Sequence, residues 1–197
     1  MAIPQGDVPK HWNYFLMLEN DLIQIARYVE FHADNFNTYS LELSRLLVSA
    51  CGEVDAIMKQ ICEPLVDNFP NNPNIECYRK IVSEKLPSFA SREVSIRRFG
   101  LSLTPWENWK GDNPRTPCWW KGHTGIKHSR HEDFKAGNLK NVLNAMGALY
   151  IALACFYSRN QQEHRLVPVP ALYFPKSFYQ GEGTKAGQVW YKFYRFS

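Results

Sequence analysis

Residues 141–158, NVLNAMGALYIALACFYS, run without one charged side chain. That is slightly short of the roughly 20 apolar residues a membrane-spanning helix needs, and Asn141, Asn144 and Ser158 interrupt it. Asn144, Ala148 and Ala152 recur every fourth residue as a small-residue face, while Leu143, Met146, Leu149, Tyr150 and Leu153 are bulky. Small side chains let neighbouring helices approach and bulky ones fill the space between them. The pattern therefore predicts a buried central helix of a bundle, over Asp133–Arg159, and not a span.

Helical spacing recurs upstream. Asp7-Val8-Pro9 reads as a helix start, with Asp as cap and Pro in the first turn, followed by Trp12, Phe15, Leu18, Leu22, Ile25 and Val29 to about Phe31. Asn37 and Thr38 offer the next cap. Tyr39, Leu43, Leu46, Leu47, Ala50, Val54, Ile57, Met58 and Ile61 then follow in steps of three and four until Pro64. After a Pro/Asn loop, Ile75, Tyr78, Ile81, Val82 and Leu86 make a shorter third helix, closed by Pro87.

The period then changes. Val94 and Ile96 alternate with polar residues, and the alternation resumes out of phase at Phe99, Leu101 and Leu103, which predicts a bulged extended segment. A Trp-, Pro- and Gly-containing loop runs to Pro117. Beyond Val167, nine of the last twenty-five residues are aromatic, and Val189–Phe196 reads as a strand with Trp190, Lys192 and Tyr194 on one face and Tyr191, Phe193 and Arg195 on the other. Such interleaving suits single-strand nucleic-acid binding or, more commonly, an amphipathic strand covering the bundle. Gly181, Gly183 and Gly187 mark a turning loop before it.

Composition bounds the reading. The 197 residues suit one domain with a real core, and 45% hydrophobic against 21% charged residues excludes wholesale disorder. Five cysteines form no CxxC pair and no even-numbered framework, and MAIPQGDVPK lacks the pattern of a signal peptide, so a reducing cytoplasm is expected. Residues 165–197 hold five Lys or Arg against one Glu, which accounts for the whole net charge of +4. A second basic stretch, residues 113–131, carries four cations and no carboxylate. Two basic segments on a balanced body suit an anionic partner.

The second stretch contains the chemistry. His123-Thr124-Gly125-Ile126-Lys127-His128-Ser129-Arg130-His131 follows Trp119-Trp120 and precedes the uncharged run. Imidazoles move protons near neutral pH, and fixed cations beside them favour phosphate. Two other readings remain open: plain capping and packing at the bundle end, and zinc held by Cys118, His123, His128 and His131, whose spacing matches no established finger.

His123-Thr124-Gly125-Ile126-Lys127-His128 resembles the motif of the HEPN domains: Arg, a polar residue, three variable positions and His, placed before the last long helix. His128 falls on the family's His and Thr124 on its polar residue, while His123 stands where the family carries Arg. A guanidinium is permanently charged and bidentate where an imidazole is not, so Arg130 or Lys127 has to supply that charge. The resemblance spans about residues 11–159, with an extended insertion at 92–117 and an aromatic, basic tail at 165–197.

It implies a single HEPN-like, mainly α domain of four principal helices with a small β element. It also implies a cytoplasmic homodimer acting on RNA or a nucleotide, in its most specific form a metal-independent endoribonuclease of a bacterial defence or toxin system that needs no cofactor. His128 would shuttle the proton of an attacking 2′-hydroxyl, with Lys127 and Arg130 stabilising the phosphorane. Trp120, Lys121, His123, Thr124 and His131 would bind. The alternative is a non-catalytic interaction or dimerisation module. A second match to the spacing, Arg27 to His32, lies at the end of the first helix and is read as chance.

Overall fold

The computed structural model describes residues 8–185, 187–193 and 196, without the side chains of Arg130, His164 and Lys185. Helices dominate: α1 (Lys10–Ile25), α2 (Leu41–Cys62), α3 (Ile75–Lys85), α4 (Cys118–Asp133) and α5 (Leu139–Arg159). The strands are short: β1 (Val94–Ile96), β2 (Leu101–Leu103), β3 (Tyr173–Pro175), β4 (Tyr179–Lys185) and β5 (Gln188–Phe193).

The expected mainly α character is observed, with the first three helices near their predicted places. Their caps differ in part. Asn74 caps α3, its side chain accepting from the Glu76 and Cys77 N–H groups. For α2 the cap is Ser40, which accepts from the Leu43 N–H, because Thr38 and Tyr39 pair their backbones with the chain just before α5. The expected cap Asp7 lies outside the described residues. α1 also stops at Ile25, short of the predicted Phe31.

Among the described residues, five long helices stand where four were expected. The extra one is α4, formed from the stretch between the Pro117 loop and the uncharged run, and α5 consequently begins at Leu139 and not Asp133, capped by Asn138, whose side chain accepts from the Asn141 N–H. By length and apolarity α5 passes as a membrane span, but 78% of its most apolar window is buried inside the fold, as a central helix requires. Ala148 and Ala152 are fully buried within the one chain. Ala148 and Ala152 of the small-residue face therefore serve packing inside the protein, and Asn144 is half-buried.

α2 covers one side of α5, and a three-stranded antiparallel sheet of order β2-β1-β3 covers another. Gly147 permits this closeness: a Cβ there would meet the Val94 side chain at 3.0 Å. Tyr173 and Trp106 donate to the α5 carbonyls of Leu143 and Ala148 at 3.0 and 3.3 Å. The predicted bulge is instead a complete reversal. Arg97–Phe99 turn through one 3₁₀ step and Gly100, at φ 64°, takes the left-handed conformation that joins β1 to β2.

β4 and β5 form a separate antiparallel hairpin around Gly187 at φ 78°, so Gly181 and Gly183 lie in a strand and not in a loop. Phe178 and Phe193 bury against Tyr150 of α5, and Lys192 stays exposed. Among its described residues the hairpin is therefore buried only at Phe193, with Gln188, Val189 and Lys192 exposed and Trp190 and Tyr191 half-buried, so the expected amphipathic covering strand is seen at one end alone. Tyr194 and Arg195 lie outside the described residues.

Candidate functional site

α4 is rooted by tryptophans. Trp119 is buried, donates its indole N–H to the Pro105 carbonyl at 2.8 Å and packs edge-on against Trp106, 5.0 Å between centroids. Trp119, Gly122 and Ile126 make its inward face. The two glycines let the returning chain lie close. A Cβ on Gly122 would meet the Asn141 amide at 2.9 Å, and one on Gly125 the Asp133 carboxylate at 2.6 Å.

The outward-turned side carries the candidate chemistry. Trp120, His123, Thr124, Lys127 and His128 are spaced i, i+3, i+4, i+7 and i+8, and all five line one groove of about 280 Å³. At 100° per residue they span about 140° of the helix surface, with His123 at the half-buried edge and His128 at the exposed one. α2 supplies Gly52 and Asp55 as the opposite wall, and the start of α3 supplies Pro73, Asn74 and Ile75. Trp120 is held between Trp119 and His123, at 5.8 and 5.4 Å between centroids. Thr124 spends its hydroxyl proton on the Trp120 carbonyl at 3.1 Å.

His123 is held toward its neutral form. Burial disfavours its charge most, Lys127 and His128 add to that, and only Asp55 opposes them. Its Nδ1 is buried without a hydrogen-bond partner. The Tyr78 hydroxyl is buried nearby against Asp55, and burial first, then the charge of that carboxylate and a hydrogen bond to it, push the phenol well above its ordinary range. Asp55 therefore acts electrostatically on both.

The folded chain binds a proton at His123 less readily than the unfolded chain, whose value is about 6.5. As the pH falls below that value the unfolded state takes up the proton first, so stability is expected to fall as the solution is acidified toward the depressed folded value and to be insensitive to this group above it. Thermal melts at pH 7.5 and 5.5 check this: His123→Gln should lose less on acidification than the parent. Equal losses would mean that His123 is solvated.

Not every predicted residue reaches the groove. Lys121 points to solvent away from it. His131 lies beyond Ser129, whose φ −142° and ψ 49° break the helix, and faces Glu132 at 3.6 Å in an exposed position. The side chain of Arg130 lies outside the described residues. Cys118 is exposed and lines no part of the groove. Among the described residues no group of three or more His, Cys, Asp or Glu side chains is gathered as a metal site. Arg27 and His32 stay apart from the cluster: His32 pairs with Asp34 at the surface.

Asp55, Gly52 and Asn74 were missed, because a lone Asp and Gly on the polar side of α2 carry no local signal. A larger cavity of about 470 Å³ lies between α1 and α2, beside Ile25, Tyr28, Val29 and Leu43. Its two carboxylates, Asp21 and Glu42, are both taken by Arg45, so it lacks free ionisable groups that converge. The smaller groove is the better candidate. No protein-family model, no curated protein and no solved structure matches the chain, so the groove is interpreted on its own geometry.

Proposed function

We propose that this chain is an RNA- or nucleotide-directed protein whose groove between α2, α3 and α4 receives a phosphate and its nucleoside. One observation carries the proposal: a neutral-leaning imidazole, a lysine, a second imidazole and a half-buried tryptophan share one face of one helix along a groove of about 280 Å³. An indole stacks on a base, an ammonium holds a phosphate, and a pair of imidazoles moves protons at neutral pH.

The most specific form of the proposal is a HEPN-like, metal-independent endoribonuclease of a defence or toxin system. His123, neutral, accepts the proton of the 2′-hydroxyl as that oxygen attacks phosphorus. His128 gives a proton to the departing 5′-oxygen, leaving a 2′,3′-cyclic phosphate and a 5′-hydroxyl. Lys127, with Arg130 as the expected substitute for the motif arginine, offsets the charge that builds on the phosphorane. The homodimer implied by the resemblance would then meet through α4.

A non-catalytic interaction module is the second reading. It is favoured by the apolar cavity between α1 and α2 and by the exposure of Tyr28 and Leu41 near it, at 84% and 72%. Incubating the purified chain with a mixed-sequence RNA in the presence of a chelator separates the two. Cyclic-phosphate ends that depend on His123 and His128 support the first reading, and binding or indifference without cleavage supports the second.

A further inference from the structure

The two walls of the groove differ in charge. α4 brings Lys127 and the histidines, while α2 brings a carboxylate, Asp55, which is exposed and has the Tyr78 hydroxyl against it on the protein side. Gly52, one turn before Asp55, has open space where a side chain would stand. A planar ring therefore has room to lie along the bare α2 backbone with its edge toward Asp55. Trp120 lines the same groove from α4, and Pro73 and Ile75 close its end with apolar surface. At about 280 Å³ the groove sits at the small end of ligand sites, which run upward from roughly 300 Å³. That suits one nucleotide and not a duplex.

We propose that Asp55 makes the groove selective for guanine. This rests on the nucleotide reading above and adds the identity of the base. An ionised carboxylate only accepts hydrogen bonds, and its two oxygens suit two parallel donors. Guanine alone among the four RNA bases presents two adjacent donors on its Watson–Crick edge, N1–H and the N2 amino group. Adenine and cytosine each set a ring-nitrogen acceptor beside their amino group, which the carboxylate repels. Uracil sets its single N–H between two carbonyl oxygens. With guanine on Asp55 and the ring beside Trp120, the phosphate meets Lys127 and His128 on the opposite wall. Donor thus faces acceptor at one end of the ligand, and anion faces cation at the other.

Calorimetric titration of the full chain with GMP, IMP, AMP, CMP and UMP tests this, with Asp55→Asn and Lys127→Ala as variants and circular dichroism as the check on folding. GMP should bind roughly ten- to a hundred-fold tighter than AMP, the range of one bidentate base contact. IMP, which lacks the N2 amino group, should fall between them. Asp55→Asn should bring GMP to within about three-fold of AMP, since its amide opposes a donor with a donor. Lys127→Ala should weaken all five ligands alike and leave their ratios intact.

Equal affinities for GMP and AMP, or a GMP preference that survives Asp55→Asn, would overturn guanine selection while leaving the phosphate groove in place. No binding of any nucleotide would overturn both.

Discussion

Glu19→Ala is expected to cost about 2 kcal/mol or more of stability, since it strands the buried backbone donors of Leu172 and Tyr173 at roughly 1–3 kcal/mol each, and the part-buried donor of Ala171 adds less. Glu19 sits in the apolar stripe of α1, only 2% exposed. Its carboxylate accepts from the backbone N–H groups of Ala171, Leu172 and Tyr173 at 2.9, 2.9 and 3.2 Å, which docks the entry to β3 onto α1. Glu19→Gln keeps one acceptor oxygen and turns an NH₂ toward a donor, so its cost should be smaller but still clear.

Burial pushes the Glu19 carboxyl above its ordinary value of 4.5, and the three N–H groups offset that only in part. The folded chain keeps this proton to higher pH than the unfolded chain. Its contribution is therefore largest below about 4.5 and declines as the pH rises through the raised folded value, a decline absent from Glu19→Gln. Urea midpoints of the three proteins at pH 5 and 7 check both statements. Variants within about 0.5 kcal/mol of the parent, the range of ordinary surface changes, would mean that residues 171–173 find other partners.

The second large effect concerns chemistry. His123→Ala and His128→Ala should each lower metal-free RNA cleavage by about 10²- to 10⁴-fold, the usual worth of a positioned proton-transfer group. Both should remain folded. His128 is exposed, and His123 Nδ1 has no hydrogen bond to lose. His32→Ala, remote from the groove, should leave the rate unchanged. Product-end analysis and single-turnover rates in the presence of a chelator provide the measurement. Loss of folding in both histidine variants, with no cleavage by the parent, would make the cluster structural and favour the interaction module.

Much of the body was legible from hydrophobic period rather than from caps. The stripes Leu43–Ile61 and Ile75–Leu86 place α2 and α3, and the uncharged run places α5. α4 was hidden. Its inward face holds only Trp119, Gly122 and Ile126, and Gly122, Thr124, Gly125 and Ser129 weaken any helical signal. The helix is sustained by what it packs on, the Trp106–Trp119 contact and the chain returning over Gly122 and Gly125. The phase slip after Ile96 was read as a bulge because its deciding feature is a conformation, the positive φ of Gly100.

The same limits shaped the site. The sequence pointed to His123, Thr124, Lys127 and His128 through their crowding, and the helix shows why these and Trp120 converge while Lys121 and His131 do not. Asp55 lies on another helix, nearly seventy residues earlier than His123, and only packing brings it opposite. Glu19 was passed over because a carboxylate inside an apolar stripe makes sense only once three backbone donors from the far end of the chain reach it.

The most direct measurement is an anisotropy titration of a labelled single-stranded RNA against the intact protein over a series of salt concentrations, repeated with Lys127→Ala. If the groove receives phosphate, the parent should bind with an affinity that falls as salt rises, and the variant should bind more weakly with a slope shallower by about 0.7, the loss of one single-strand phosphate contact. An RNA that does not bind at low salt, or a variant whose affinity and slope match those of the parent, would contradict a nucleotide-binding groove on α4.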